Sequence, residues 1–196
     1  MRVSWTAGEG IATLDPMKKA WLLFLWAAGT LCGEVAELNL GTRGVLTLYF
    51  PDGWKASVTE MGGQATLTVM PVDDDAVNAT CTVAVTFPER DAFARRDRLK
   101  QQVEADAFSL LQSGAVEGRG EADAFLLGSG FGFYCSFVDP NLRGKPPIKG
   151  DYKVVSIGKI RLAPDVLASV QILADSFTDQ PYQQLLGAIE GMEYRR

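Results

Sequence analysis

Val166, Ala168, Val170, Ile172 and Ala174 alternate with their neighbours along one short stretch. A side-chain period of two places all five on the same face of a β-strand. Thr80 to Phe87 repeats the pattern, with Cys81, Val83, Val85 and Phe87 on one side. Strands with an apolar face need a covering layer, so this alternation constrains the fold more than any other feature of the chain. Gly44 to Phe50 is a further strand that ends at the turn Pro51-Asp52-Gly53. Trp54 to Glu60 and Gln64 to Met70 are separated by Met61-Gly62-Gly63, which predicts a tight hairpin. Pro71 to Asp75 reads as a loop. Ala115 to Leu127, Phe131 to Val138 and Tyr152 to Leu162 also have strand character.

Two segments break the period. Between Asp91 and Ser113, Leu99, Val103, Ala107, Leu110 and Leu111 recur at helical spacing with charges between them, which predicts an amphipathic helix stopped by Gly114. Tyr182, Leu185, Leu186, Ile189 and Met192 form a second stripe, with Thr178 or Asp179 as N-cap and Pro181 in the first turn. Strands, helix, strands, helix describe an α+β domain: a largely antiparallel β-sheet flanked by helices.

Upstream lies a different kind of segment. Lys18 and Lys19 precede an apolar run from Ala20 to Leu31, followed by Gly33. A charged start, an apolar centre and small residues are the order of a secretory signal peptide, and the run is short for a membrane-spanning helix. Residues 17–33 are therefore expected to be a signal, with cleavage after Gly33 and translation starting at Met17. Residues 1–16 are then an upstream extension or a misassigned start, and residues 34–196 form one domain. Lipidation of Cys32 would tether the domain to a membrane, but that processing wants a small residue where Leu31 stands.

Composition narrows the chemistry. The chain carries a formal charge of −5. Residues 1–33 hold Arg2, Lys18 and Lys19 against Glu9 and Asp15, so the remainder is −6. An acidic domain without a long basic run has no electrostatic footprint for nucleic acid or anionic membrane. Histidine is absent, which removes the commonest general base and metal ligand. Cys81 and Cys135 both face the apolar side of their strands. An exported domain permits a disulfide between them. Two separate core thiols fit the pattern equally.

The strand ending in "YFPDGW" (Tyr49 to Trp54), the hairpin after it, the mid-chain helix, the later strands and a terminal helix after "ILADSF" (Ile172 to Phe177) resemble the PsbP-like superfamily, in particular its exported bacterial PsbP/DcrB-type domains. The resemblance implies an α/β/α sandwich and a non-enzymatic binding or scaffolding role. It carries over no site residue.

Motifs for chemistry are weak. "GSGFGF" (Gly128 to Phe133) lacks the third glycine and following helix of a dinucleotide loop, and close sheet packing explains it better. "DDD" (Asp73 to Asp75) lacks the further ligands of a calcium loop. Glu117, Glu121 and Asp123 read as surface charge, and Ser129, Ser136 and Ser156 have no histidine to activate them. "NAT" (Asn78 to Thr80) fits a glycosylation acceptor. The most suggestive stretch is "DPNLRGKPPIKGDY" (Asp139 to Tyr152), a long loop carrying Arg143, Lys145 and Lys149 on an acidic domain. These three, with Trp54 as an aromatic anchor, are the candidate partner-binding residues, although a large aromatic at a strand start also suits the core. No catalytic, cofactor or metal residue is expected. The chain reads as an exported, periplasmic or secreted, non-enzymatic protein that binds an envelope partner. The alternatives are a small-molecule or lipid-binding module lined by Phe131 to Phe137, and a periplasmic inhibitor or immunity protein.

Overall fold

The computed structural model describes residues 34–61, 64–73 and 77–196. The signal-like segment, the Met17 start, Cys32, and the turn residues Gly62, Gly63, Asp74 and Asp75 lie outside the described residues.

The chain begins with β1 (Glu34–Asn39) and β2 (Val45–Phe50), joined by the 3-10 turn Gly41–Arg43. Next come β3 (Trp54–Met61), β4 (Gln64–Pro71) and β5 (Ala79–Thr86), then helix α1 (Arg96–Gln112). Two short strands, β6 (Glu117–Gly118) and β7 (Asp123–Ala124), precede β8 (Phe131–Val138), β9 (Val154–Ala163) and β10 (Val166–Ala174). Helix α2 (Gln180–Glu190) and β11 (Glu193–Arg195) close the chain.

The main sheet runs β3-β4-β5-β10-β9-β8-β6, with β7 also on β8, and every strand pair is antiparallel. Met61 pairs with Gln64, so β3 and β4 form the expected tight hairpin. Each helix covers one face. Leu99, Val103 and Ala107 of α1 bury against Phe133, Cys135 and Phe137 of β8 and against Val155 and Ile157 of β9. Tyr182, Leu185 and Ile189 of α2 join Val83, Ile172 and Val170 on the opposite face. A small sheet, β1-β2-β11, completes that second layer through Leu38, Leu46 and Leu48. The α+β architecture with a mostly antiparallel sheet is therefore the observed one.

Three expectations change at the level of elements. The small sheet was not legible: β1 buries only Ala36 and Leu38, and β11 has three residues, so neither makes a periodic signal. α1 starts at Arg96, after turns in which Ala92 N–H reaches Glu89 O and Ala94 N–H reaches Asp91 O. Ala115 to Leu127 is mostly irregular, with two-residue strands only. It leaves the sheet so that Phe125 can lie over glycines of β8 and β9. A Cβ on Gly158 would stand 2.8 Å from Phe125 Cε2, and one on Gly132 would stand 3.0 Å from Phe125 Cδ2. Two glycines of "GSGFGF" thus serve close packing: Gly132, and Gly130, which also takes a positive φ of 75°, while Gly128 has open space around it.

Cys81 and Cys135 are free, which overturns the disulfide. Cys81 pairs across the sheet with Ile172, Ile172 with Ser156, and Ser156 with Ser136. The residue in line with Cys81 on β8 is therefore Ser136, and Cys135 beside it points to the other face. Two strands intervene, which is about 14 Å at roughly 4.8 Å per strand spacing, whereas a disulfide tolerates about 7 Å between Cα atoms.

Burial pushes the Cys81 thiol up to about 12 and the Cys135 thiol up to about 11, from 9.0. The unfolded chain loses these protons first as pH rises. Stability therefore holds below about pH 9 and falls as pH climbs toward the folded-state values. Urea midpoints measured across that range should decline in the wild-type protein and decline less in Cys81→Ala. Equal slopes would show that the thiol is not the cause. Both thiols should also resist alkylation until the protein unfolds.

Candidate protein-interaction surface

The register places the end of β8 at Val138 beside the start of β9 at Val154, so the Asp139 to Lys153 connection leaves the sheet at one end. Asp139 N–H bonds Lys153 O at 2.8 Å and closes the base of this loop. Pro140–Leu142 form a 3-10 turn capped by the Asp139 side chain, which accepts from Asn141 N–H at 2.8 Å. Gly144 and Gly150 take positive φ values of 73° and 85°, where side chains are disfavoured.

Asn78 fastens the far part of the loop. Its Nδ2 donates to Asp175 Oδ1 at 2.9 Å, to Ile148 O at 3.2 Å and to Asp151 O at 3.3 Å. Its Oδ1 accepts from Gly150 N–H at 3.1 Å. The side chain that the "NAT" pattern offered for glycosylation is thus engaged inside the protein. No sequence signal pointed to this anchoring role, because its partners lie 70 or more positions away.

Ile148 pairs with Asp151 in an isolated bridge and stays 55% exposed. Lys145 and Lys149 are exposed on either side of it. Arg143 ion-pairs with Glu117 at 2.6 Å and braces the loop against β6. Of the three basic candidates, Lys145 and Lys149 are exposed near an apolar tip, and Arg143 pairs across to β6. A recess of about 380 Å³ lies beside the base, between Arg143, Lys153, Asp175 and Phe177.

Trp54 does not belong to this surface. It is 3% exposed, and its Nε1–H donates to Gln184 Oε1 on α2 at 3.1 Å. A large apolar ring at the first position of a strand is drawn into the layer between sheet and helix, and the indole N–H finds a partner there.

The remaining motifs resolve structurally. Ser136 and Ser156 share a hydrogen bond of 2.7 Å, and Ser156 and Tyr182 share one of 2.8 Å, so both serines satisfy each other's polarity at the sheet–α2 contact. Phe133 and Phe137 are buried under α1. The groove beside α1, about 270 Å³, is bordered instead by Thr82, Ala84, Ser169 and Gln171, with Lys159 crossing to Asp106 at 2.9 Å. Among the described residues no group of histidine, cysteine and carboxylates is arranged to hold a metal. No helix among them is long and apolar enough to cross a membrane.

No protein-family model matches this chain, and neither does any curated protein. Among solved structures, the chain is similar to the Saccharomyces cerevisiae Ran-binding protein Mog1p. The identity is 16%, over 84% of this chain and 96% of that one, with a TM-score of 0.42. A mutant of protein Mog1 is similar at 15% identity, over 82% and 95% of the two chains, with a TM-score of 0.41.

Proposed function

We propose that the domain is a non-enzymatic protein-binding or scaffolding module of the bacterial envelope, of PsbP-like type, and that the Asp139 to Lys153 loop is its recognition element. The observation that carries this reading is the shape of the loop. The Asp139–Lys153 bond and the Arg143–Glu117 pair hold its base and Asn78 its far part, while Ile148 stands exposed between Lys145 and Lys149. An ordered apolar tip with a basic rim loses little conformational freedom on binding and suits an apolar socket with acidic surroundings. The signal pattern of residues 17–33 supports an exported protein, and the absence of histidine supports binding over acid–base catalysis.

A photo-crosslinking residue in place of Ile148, expressed in the native host, should give a discrete adduct in the envelope fraction. The same probe at Thr59, on the edge strand β3, should not. In a second arm, Ile148→Asp should weaken binding to the adduct's partner by roughly tenfold or more, as loss of a central apolar anchor does. Adducts of equal yield from both positions, or full binding by Ile148→Asp, would remove the loop from the function.

A further inference from the structure

The end of the sheet opposite the loop gathers arginines. Thr86 pairs with Leu167, Leu167 with Arg161, and Arg161 with Phe131, so the exits of β5 and β9 and the starts of β8 and β10 share one edge. The connection leaving β5 carries Arg90 and Arg95, and the first turn of α1 carries Arg96 and Arg98. Arg43 and Arg196 reach the same edge through Asp165 in the β9–β10 turn, at 3.3 and 3.4 Å.

Carboxylates here (Glu89, Asp91, Asp97 and Asp165) are outnumbered by the arginines. Asp165 is shared by Arg43 and Arg196, and Asp91 is shared by Arg90 at 3.9 Å and Arg161 at 3.3 Å. Asp97 pairs with Arg95. Arg96 has an aromatic partner instead, lying 5.5 Å from the ring centre of Phe131 and 5.9 Å from that of Phe133. Arg161 also lies over Phe131, at 5.8 Å, and its Nε is buried without a hydrogen-bond partner. Arg98 is exposed and has no ion pair among the described residues. An excess of positive charge on a domain of net negative charge would be diluted if it served only solubility. Here it is concentrated, and the guanidinium groups of Arg43, Arg96 and Arg161 lie within 4.4 to 5.9 Å of aromatic ring centres.

We propose that this arginine edge docks an acidic, extended segment of a partner protein, whose carboxylates engage Arg96 and Arg98. Guanidinium groups suit carboxylates because their paired N–H donors match two oxygens at once. The interleaved Asp91, Asp97 and Asp165 divide the edge into separate sockets. Discrete carboxylates fit such sockets, whereas the continuous phosphates of a nucleic acid or the plane of an anionic bilayer would also meet those acids and the acidic remainder of the domain. The edge lies away from the Asp139 to Lys153 loop and does not rest on that loop's role.

The test is fluorescence anisotropy of a labelled polyglutamate peptide titrated with the intact protein at low and high salt. Wild-type protein should bind, and affinity should fall as salt rises. Arg98→Gln should weaken binding several-fold and Arg98→Glu by roughly tenfold or more, while Lys145→Glu leaves it unchanged. Glutamate in the first turn favours the helix, so Arg98→Glu should keep or raise the melting temperature while it loses the peptide. Equal affinity in wild type and Arg98→Glu would overturn the proposal. So would stronger binding to an oligonucleotide or to phosphatidylglycerol vesicles than to the peptide.

Discussion

Phe137→Ala should lower the stability of the domain by about 3–5 kcal/mol, the range for truncating a buried phenylalanine without collapse of the site. Phe137 is 1% exposed and sits with Leu99, Val103 and Ala107 where α1 meets β8. Its ring is fixed from the sheet side, so the space it leaves cannot close by moving one loop. Against a typical total of about 5–15 kcal/mol, such a loss removes a large share of the margin. Trp54 is the only tryptophan after Gly33, and it reports from the opposite face of the sheet. Its fluorescence and the far-ultraviolet circular dichroism should therefore shift together to lower urea, because both layers share one sheet and unfold as a unit. Separate transitions, with Trp54 unmoved, would mean that α1 and its face come apart by themselves.

Gly158→Ala tests the other close contact of the sheet, and adding one methyl group should cost about 1–3 kcal/mol or more. The new Cβ would stand 2.7 Å from Phe133 O, 2.8 Å from Phe125 Cε2 and 2.8 Å from Tyr134 Cβ. Backbone and ring crowd the site together, so no single rotamer change relieves it. Phe125 is 6% exposed, stacks on Tyr134 at 4.6 Å and is tied by its N–H to Gly132 O at 3.1 Å. Phe125→Ala should itself destabilise the domain. In the double variant the two losses should sum to more than is measured, because removing the ring frees one wall of the space that the methyl group needs. Strict additivity would show that Phe133 O alone sets the cost.

The candidate surface was half legible. The loop stood out by its length, its prolines and its three basic residues, since composition alone separates such a stretch from periodic strands. What those residues do was not legible. Arg143 reaches across the surface to Glu117 and becomes a brace, because the fold brings β6 alongside the loop. Ile148 becomes the tip only because Asn78, 70 positions earlier in the chain, holds the Ile148 carbonyl itself. Trp54 moved the other way. Its place after a turn left a surface anchor and a core ring both open, and the fold buries it and gives its indole N–H to Gln184 of α2. The arginine edge was hidden by a correct local reading: charges between the apolar positions of α1 look like an ordinary solvated helix face. Only strand register brings Arg161, Arg43 and Arg196 to the same place.

For the fold, the division follows the range of the interactions. Side-chain alternation and helical spacing are set within a few residues. The sequence alone therefore determined Val166–Ala174 and Phe131–Val138 to the residue, both helices, the β3–β4 hairpin and the α+β class. Partner strands are chosen by contacts far apart in the chain. Cys81 and Cys135 each obeyed the local rule of facing an apolar layer, and both readings of them survived at that level. The tertiary structure decided between them by inserting β10 and β9 and turning the two thiols to opposite faces. The three-residue β11 exists for the same reason. It has too few residues to specify itself and becomes a strand only because β2 offers an edge for it to pair with.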